Sequence, residues 1–188
     1  AAETSYQAWD ALKAIKVEYD VLPPLVDETK SLQAGAPLVH DGGNRVAPPI
    51  KYNRGDVAMG FAEADVVLEQ SYRTECEIHT PLERHGCVAE WDRDRLTVWQ
   101  STQGVYRIQT QLSTILGLPL SKVRVIGRYM GGGFGSKLAA DKETVIAALL
   151  AKKAGRPVKL FMTREETFIA AGNRPPANMR LKAGVKKD

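Results

Sequence analysis

The sequence predicts a mixed fold, α/β to α+β, from three observations. Residues 95–163 alternate strand-like and helix-like runs in the order β-α-β-α-β, which favours crossovers and locally parallel strands. Residues 80–101 read instead as two alternating runs joined by a tight turn, an antiparallel hairpin. Ahead of both lies a loop-rich stretch from Leu25 to Pro49, with Gly35, Pro37, Gly42-Gly43 and Pro48-Pro49, the composition of a connector. The expected division is residues 1–35 and residues 36–188.

The elements follow in order. Thr4 or Ser5 can cap a helix whose Ala8, Leu12 and Ile15 share a face. "KVEYDVL" (16–22) alternates like a half-buried strand, and Pro23-Pro24 stops it. Asp56 can cap a short helix through Val57, Gly60 and Phe61. "VVLEQSYRTECEI" (66–78) reads as a long antiparallel strand. "TPLERHGCVAEWD" and "RLTVWQS" form the hairpin, turning between Asp92 and Asp94. Residues 104–117 predict a helix with Val105, Ile108, Leu112, Ile115 and Leu116 inward and Gly117 as its stop. Residues 122–129 predict a strand. Residues 141–155 predict a helix that buries Val145, Ala148 and Leu149 and stops at Gly155, and Pro157 precedes the strand "VKLFMT". The closing "RLKAGVKKD" reads as a strand entering a turn. Both ends look cut, as in a fragment or one piece of a split subunit.

Composition narrows the class. Of 188 residues, 44% are apolar and 26% charged, as in a soluble globular protein. No apolar run approaches the roughly 20 residues that span a bilayer, so a cytoplasmic setting without membrane association is expected. A net charge of +4 with interspersed signs predicts no nucleic-acid partner. Cys76 and Cys87 lack the spacing of a zinc site and are too few for an iron–sulfur cluster; both are expected to be small buried hydrophobes.

The stretch "GRYMGGGFGSKL" (127–138) sits between a strand-like and a helix-like run. That context suits a phosphate loop, but the residues do not. GxxxxGK[ST] fails because Ser136 separates Gly135 from Lys137 and Leu138 stands where a hydroxyl is needed; GxGxxG fails because Ser136 replaces the last glycine. If the strands are parallel, the turn at Thr102, Gln103 and Gly104 and the loop Gly131–Ser136 share the crevice at the strands' carboxyl ends.

"STQ" (101–103) followed by "RYMGGGFGSK" (128–137) resembles the molybdenum hydroxylases, the xanthine dehydrogenase, aldehyde oxidase and carbon monoxide dehydrogenase superfamily. "YDVLPPLVD" resembles the end of that family's α/β hammerhead domain. "RGDVAMGFAEADVVLEQSYRTECEIHTPLERHGCVAEW" and "AGRPVKLFMTREETFIAAGNRPP" resemble the first part of its mixed-sheet molybdopterin-binding domain. The resemblance implies an oxidoreductase component that binds a molybdenum-pterin cofactor, in some members a dinucleotide form. The metal is held by the pterin dithiolene and takes no side-chain ligand. The implied reaction hydroxylates an aldehyde or N-heterocycle with water as oxygen source. Electrons leave through Fe-S and FAD groups on partner domains or chains, and the remainder of the molybdenum subunit is a further partner. Position by position, Gln103 would hydrogen-bond the apical oxo ligand, and Phe134 and Gly135 would sit against the metal's inner ligands. Gly132, Gly133 and Ser136 would complete the cofactor loop, and N–H groups at the next helix's start would favour an anion.

Two departures follow. The family's general-base glutamate is expected outside this chain, so residues 1–188 alone are expected to be inactive. Leu138 stands where purine-oxidising members carry a substrate-binding glutamate, which weakens a purine as substrate. The alternative to the whole reading is a non-catalytic nucleotide- or phosphate-binding module using the glycine loop; another is a structural piece whose loop packs on a partner. "EIHTPLERH" gathers Glu77, His79, Glu83 and His85 as a structural segment, or as support for the crevice through Glu83 and His85. Trp9, Trp91 and Trp99 are expected in the core, and Arg164 and Arg174 in surface ion pairs or at an anionic cofactor tail.

Overall fold

The computed structural model describes residues 1–187. In chain order its elements are α1 (Ser5–Ala14), α2 (Val57–Ala62), β1 (Val66–Thr74), β2 (Gly86–Asp92), β3 (Arg95–Gln100), α3 (Val105–Leu116), β4 (Val123–Ile126), α4 (Lys142–Ala154), β5 (Val158–Phe161), α5 (Arg164–Ala170) and β6 (Ala177–Val185). The chain divides into two units, one of residues 1–15 and 76–174, the other of residues 16–75 and 175–188. Asp188, the last residue of the expected closing turn, lies outside the described residues.

The first unit is built on a four-stranded sheet in the order β4-β3-β2-β5. The hairpin β2–β3 is antiparallel, with Arg93 at φ 54° in its turn. β3 and β4 are parallel, as the crossover through α3 requires. β5 joins the other edge antiparallel to β2. Strands β3, β4 and β5 therefore all run one way, with β2 reversed between two of them. Locally parallel strands are present, but β5 does not pair with β4 as a simple β-α-β-α-β reading suggests.

One face of the sheet is dry. Cys87 and Ala89 of β2, Leu96 and Val98 of β3 and Val123 and Val125 of β4 are buried beneath Ile108 and Leu112 of α3 and Ala147, Ala148 and Ala151 of α4. The alternate positions give each strand its period of two. α3 ends at Gly117, in the left-handed conformation expected of a helix stop. Its inward face is narrower than the periodicity indicates: Ile115 and Val105 are exposed. The inward face of α4 differs in part: Ala148 is buried and Val145 packs against the core as expected, but Leu149 is exposed and the other buried positions are Glu143, Thr144, Ala147 and Ala151. Small residues let this helix lie close to β2, where Trp91 Nε1 donates to the Ala148 carbonyl at 2.8 Å.

The capping boxes are as the sequence writes them. Thr4 and Gln7 close α1, and Thr163 with Glu166 closes α5, a helix the pattern of 158–176 did not announce. Of the tryptophans expected inside, Trp91 packs against the core, whereas Trp9 and Trp99 are exposed. Cys87 is buried and Cys76 exposed, and both are free thiols. Burial, with the Glu143 carboxylate nearby, pushes the Cys87 thiol up to about 12, so it behaves as a hydrophobe.

In the second unit β1 and β6 form an antiparallel ribbon, Val66 opposite Val185 through Thr74 opposite Ala177. Asp56 caps α2 by accepting from the Met59 N–H at 2.9 Å. Residues 16–22 form no strand, and their apolar side chains Val17, Tyr19, Val21 and Leu22 are exposed. Alternation alone did not make a strand there, because no ladder partner satisfies the backbone. Beyond Thr74 the expected long strand also stops; in the first unit Glu77 makes an isolated bridge with Arg174.

Candidate functional site

Because β3, β4 and β5 share a direction, their carboxyl ends and the start of β2 lie at one edge of the sheet. Four segments meet there: Pro81–His85 before β2, Ser101–Gly104 after β3, Gly131–Lys137 after β4 and Arg164 after β5. Residues from 81 to 164 converge through topology alone.

The glycine loop is fastened at both ends. At its beginning, the Gly131 N–H donates to Glu83 Oε2 at 2.6 Å and the Glu83 N–H returns a bond to the Gly131 carbonyl at 3.0 Å. At its end, the Lys137 carbonyl accepts from the Gln103 N–H at 2.9 Å and from Thr102 Oγ1 at 3.0 Å. The Lys137 side chain, 2% exposed, runs beneath the loop. Its ammonium donates to the Glu83 carbonyl and to Ser101 Oγ, each at 2.8 Å, and lies 3.6 Å from Glu83 Oε2. Ser101 Oγ in turn donates a hydrogen bond to Glu83 Oε2 at 2.6 Å. Burial opposes ionisation of Glu83, but Ser101, Gly131 and Lys137 outweigh it and hold the carboxyl below its ordinary range. Burial lowers Lys137, with Glu83 opposing.

Between these fastenings the loop turns tightly. Ser136 N–H donates to the Gly133 carbonyl at 2.9 Å, and Ser136 Oγ does so at 2.7 Å. The Ser136 proton is thereby used, so His85 Nε2–H donates to Ser136 Oγ at 2.9 Å. This tautomer leaves His85 Nδ1 as a buried acceptor without a partner among the described residues. Burial, then the Lys137 charge, pushes the His85 imidazole below its ordinary value. Phe134 takes φ 51°, a conformation unusual for a side chain of its size, and the residue is 70% exposed.

Gln103 is placed against the loop. Its Oε1 accepts from the Gly135 N–H at 2.8 Å and the Lys137 N–H at 3.3 Å. The fit depends on Gly133, since a Cβ there would stand 2.5 Å from Gln103 Oε1. A carbonyl committed to the loop leaves the amide's NH2 to donate elsewhere. Beside the loop a cleft of about 640 Å³ is lined by Gly135, Ser136 and Leu138 together with His79, His85 and Glu143. Its size is that of a small-molecule site.

The site residues expected from the sequence divide accordingly. Gln103, Gly133 and Gly135 come together. Gly135 and Leu138 line the cleft, whereas Gln103, Gly132, Gly133 and Phe134 lie outside its lining. Ser136 lines it too, but its hydroxyl is engaged inward. Arg164 is not in a surface ion pair: its guanidinium donates to the Pro81 and Leu82 carbonyls at 2.8 and 2.7 Å. The loop does not open directly into the next helix. Lys137–Ala140 intervene, and α4 begins with Asp141 as its cap and a buried Glu143, whose carboxyl burial pushes up. A positive helix end already supplied with carboxylates is a poor phosphate site. Among the described residues, no group of three or more His, Cys, Asp or Glu side chains could hold a metal ion.

Lys137 and Ser101 escaped the sequence reading. Their partner Glu83 is 54 and 18 positions away, and no spacing rule joins residues so distant. The available signal was a lone lysine inside a glycine loop at a sheet edge.

The His85 environment sets a pH dependence. An unfolded histidine takes up a proton near pH 6.5, and the folded one resists. The unfolded state therefore binds more protons below that pH, and stability falls as pH drops from about 6.5 toward the lowered folded value. His85→Gln keeps a donor for Ser136 and does not titrate. Thermal midpoints measured from pH 7.5 to 5 should fall more steeply for the parent than for His85→Gln; parallel curves would show that His85 is not held neutral.

A family model described as the molybdopterin cofactor-binding domain matches residues 39–188. The whole chain is 34% identical to the probable hypoxanthine oxidase of Escherichia coli K12, of which it covers 23%. It is also 34% identical over its whole length to the large molybdopterin subunit of nicotinate dehydrogenase from Eubacterium barkeri, covering 44% of that protein. The structure superimposes on quinoline 2-oxidoreductase from Pseudomonas putida 86 with a TM-score of 0.83 at 26% identity, over 98% of this chain and 24% of the other. The chain thus spans less than half the length of these relatives. With the sheet edge, the glycine loop and Gln103 assembled as described, the chain belongs to the molybdopterin cofactor-binding domain family, that of the molybdenum-binding subunits of xanthine dehydrogenases and aldehyde oxidoreductases.

Proposed function

We propose that this chain supplies part of the cofactor pocket of a molybdenum hydroxylase. Residues 1–35 close a hammerhead-like domain, and residues 36–188 begin the cofactor domain, a division supported by a family match that starts at residue 39. The observation that carries the reading is Gln103. Two loop N–H groups fix its carbonyl, so its NH2 is presented as a donor at the sheet edge.

The residues fit the cofactor. Gly133 leaves room for Gln103, and a Cβ at Gly135 would meet almost nothing, its nearest neighbour being His79 Nε2 at 4.0 Å. The Arg164 guanidinium, held by the Pro81 and Leu82 carbonyls, adds positive charge at the same sheet edge, where an anionic group would be favoured. Gln103 would donate to the cofactor, and Gly132, Gly133, Phe134, Gly135 and Ser136 would line its approach. The bound molybdenum centre supplies oxygen transfer and accepts two electrons, so that C–H and water become C–OH with release of two protons. The chain's own residues orient and polarise. The exposed Phe134 ring keeps water from whatever lies against it, and the neutral amide of Gln103 donates without ionising.

The substrate is an aldehyde or a non-purine N-heterocycle. Leu138, on the cleft wall, offers neither charge nor hydrogen bond to a purine. The nicotinate and quinoline enzymes among the relatives support this, and the probable hypoxanthine oxidase is the competing precedent. The electrons leave through Fe-S and FAD groups on partner domains or chains. A cytoplasmic location agrees with two free cysteines. Residues 1–188 alone turn over no substrate, because the base glutamate implied by the resemblance lies elsewhere.

The test is made on the assembled enzyme. Metal analysis should find molybdenum, and a panel of aldehydes, pyridine- and quinoline-type heterocycles and hypoxanthine should show the purine as the poorest substrate. Gln103→Ala should lower turnover about a hundredfold, the usual effect of losing one preorganised donor. Absence of molybdenum would overturn the assignment. A preference for hypoxanthine would overturn the substrate class.

A further inference from the structure

The glycine loop is held from below by groups with no assigned role in the reaction. The Lys137 ammonium, buried under residues 131–137, donates to the backbone of Glu83 and to Ser101, while the Glu83 carboxylate grips Gly131 at the far end of the same loop. Ser101 lies two residues before Gln103, and the Lys137 backbone bonds both the Gln103 N–H and its side-chain carbonyl. The loop's beginning, its end and the Gln103 segment thus share one small set of groups: Glu83, Ser101 and Lys137.

We propose that Lys137, with Glu83 and Ser101, is a positioning device that sets the height of the glycine loop and the aim of the Gln103 amide together. The inference rests on the cofactor-site reading for its functional meaning, but the clamp itself is a property of the chain. Its geometry explains why a lysine is tolerated there. Each element of the clamp satisfies another: Ser101 accepts from Lys137 and donates to Glu83, and Glu83 accepts from Ser101 and Gly131. Removing the ammonium leaves Ser101 and the Glu83 carbonyl without their donor and a carboxylate without its nearby cation. The strain then falls on the Gly131 and Gly135 bonds, the two that shape the loop.

The experiment compares Lys137→Met, Glu83→Gln and the double variant with the parent in the assembled enzyme, reading amide hydrogen exchange by segment and molybdenum content. Lys137→Met should speed exchange in residues 131–137 about tenfold or more, as loss of a charged hydrogen bond implies, while the β2–β3 hairpin keeps its protection. Molybdenum content should fall with it. The double variant should be no worse than Lys137→Met, because the two groups act as one unit. Should Lys137→Met fail to accumulate, Ser101→Ala, which removes one link only, should show the same localised change in smaller degree. Unchanged loop exchange would overturn the proposal, as would equal loss of protection in loop and hairpin or strictly additive effects. A parent enzyme without molybdenum would defeat the cofactor reading alone, since the exchange pattern still tests the clamp.

Discussion

Replacing Gly133 with alanine is expected to abolish most turnover while leaving the fold nearly as stable. The added Cβ would stand 2.5 Å from Gln103 Oε1, 2.6 Å from Cδ and 2.7 Å from Cγ. A Cβ carbon cannot pack that close to a non-bonded atom, so one of them moves. The intruded atoms are the far end of a flexible side chain at the edge of the sheet, so Gln103 swings away while the backbone stays. It forfeits the bonds from the Gly135 and Lys137 N–H groups, and its NH2 loses its aim. Turnover by the assembled enzyme should fall about a hundredfold or more. The unfolding free energy should change by about 1 kcal/mol, the scale of a surface-side adjustment. Measuring kcat and the urea midpoint on the same preparation decides the matter. Retained turnover would show that Gln103 is not used at the reacting centre.

The opposite outcome is expected at Gly86. A Cβ there would meet the Leu160 carbonyl oxygen at 2.5 Å and Phe161 Cα at 2.6 Å, and both are backbone atoms of the paired strand. Neither can rotate aside without parting β2 from β5. The φ of +156° adds to the difficulty for a side chain. Gly86→Ala should destabilise by about 3 kcal/mol or more, at the upper end for overpacking. In a chain of this size that lowers the thermal midpoint by on the order of 10 °C. A shift of a degree or two would mean that the β2–β5 pairing yields more easily than backbone packing allows. The two glycines differ in what they face, and that difference sorts a functional position from a structural one.

Much of this was legible in the sequence, and the rest for physical reasons was not. The hairpin at Asp92–Asp94, the stops at Gly117 and Gly155 and the cap at Asp56 are local chemistry, decided within a few residues. The β3-α3-β4 crossover follows from chain handedness. What escaped were relations across the chain. Nothing in "VKLFMT" says that β5 pairs with β2 rather than β4. The buried face of α4 is mainly alanine because the helix lies close to the sheet, a tertiary fact at odds with the apolar periodicity that pointed Leu149 inward. The capping box of Thr163 and Glu166 is equally local chemistry, although apolar periodicity alone announces no helix over residues 164–170. Gln103 and the glycines were found through a resemblance carried by their own letters. Glu83 was readable as support for the crevice, but its joining to Ser101 and Lys137 needed the fold, since only the sheet brings the three together.

The convergence of four segments at one sheet edge has a thermodynamic consequence. Residues 81–85, 101–104, 131–137 and 164 meet only when β5, last of the four strands in the chain, is in place, and Arg164 then locks the turn at Pro81 and Leu82. No partly assembled sheet contains the site. A molecule held at that edge is linked to the cooperative unfolding of the whole sheet, and at a hundred times its Kd it adds about 2.7 kcal/mol to that transition. Occupancy is therefore a gauge of structural completeness: a chain that has failed to add its final strand has nothing to load, and a loaded chain has all four strands in register.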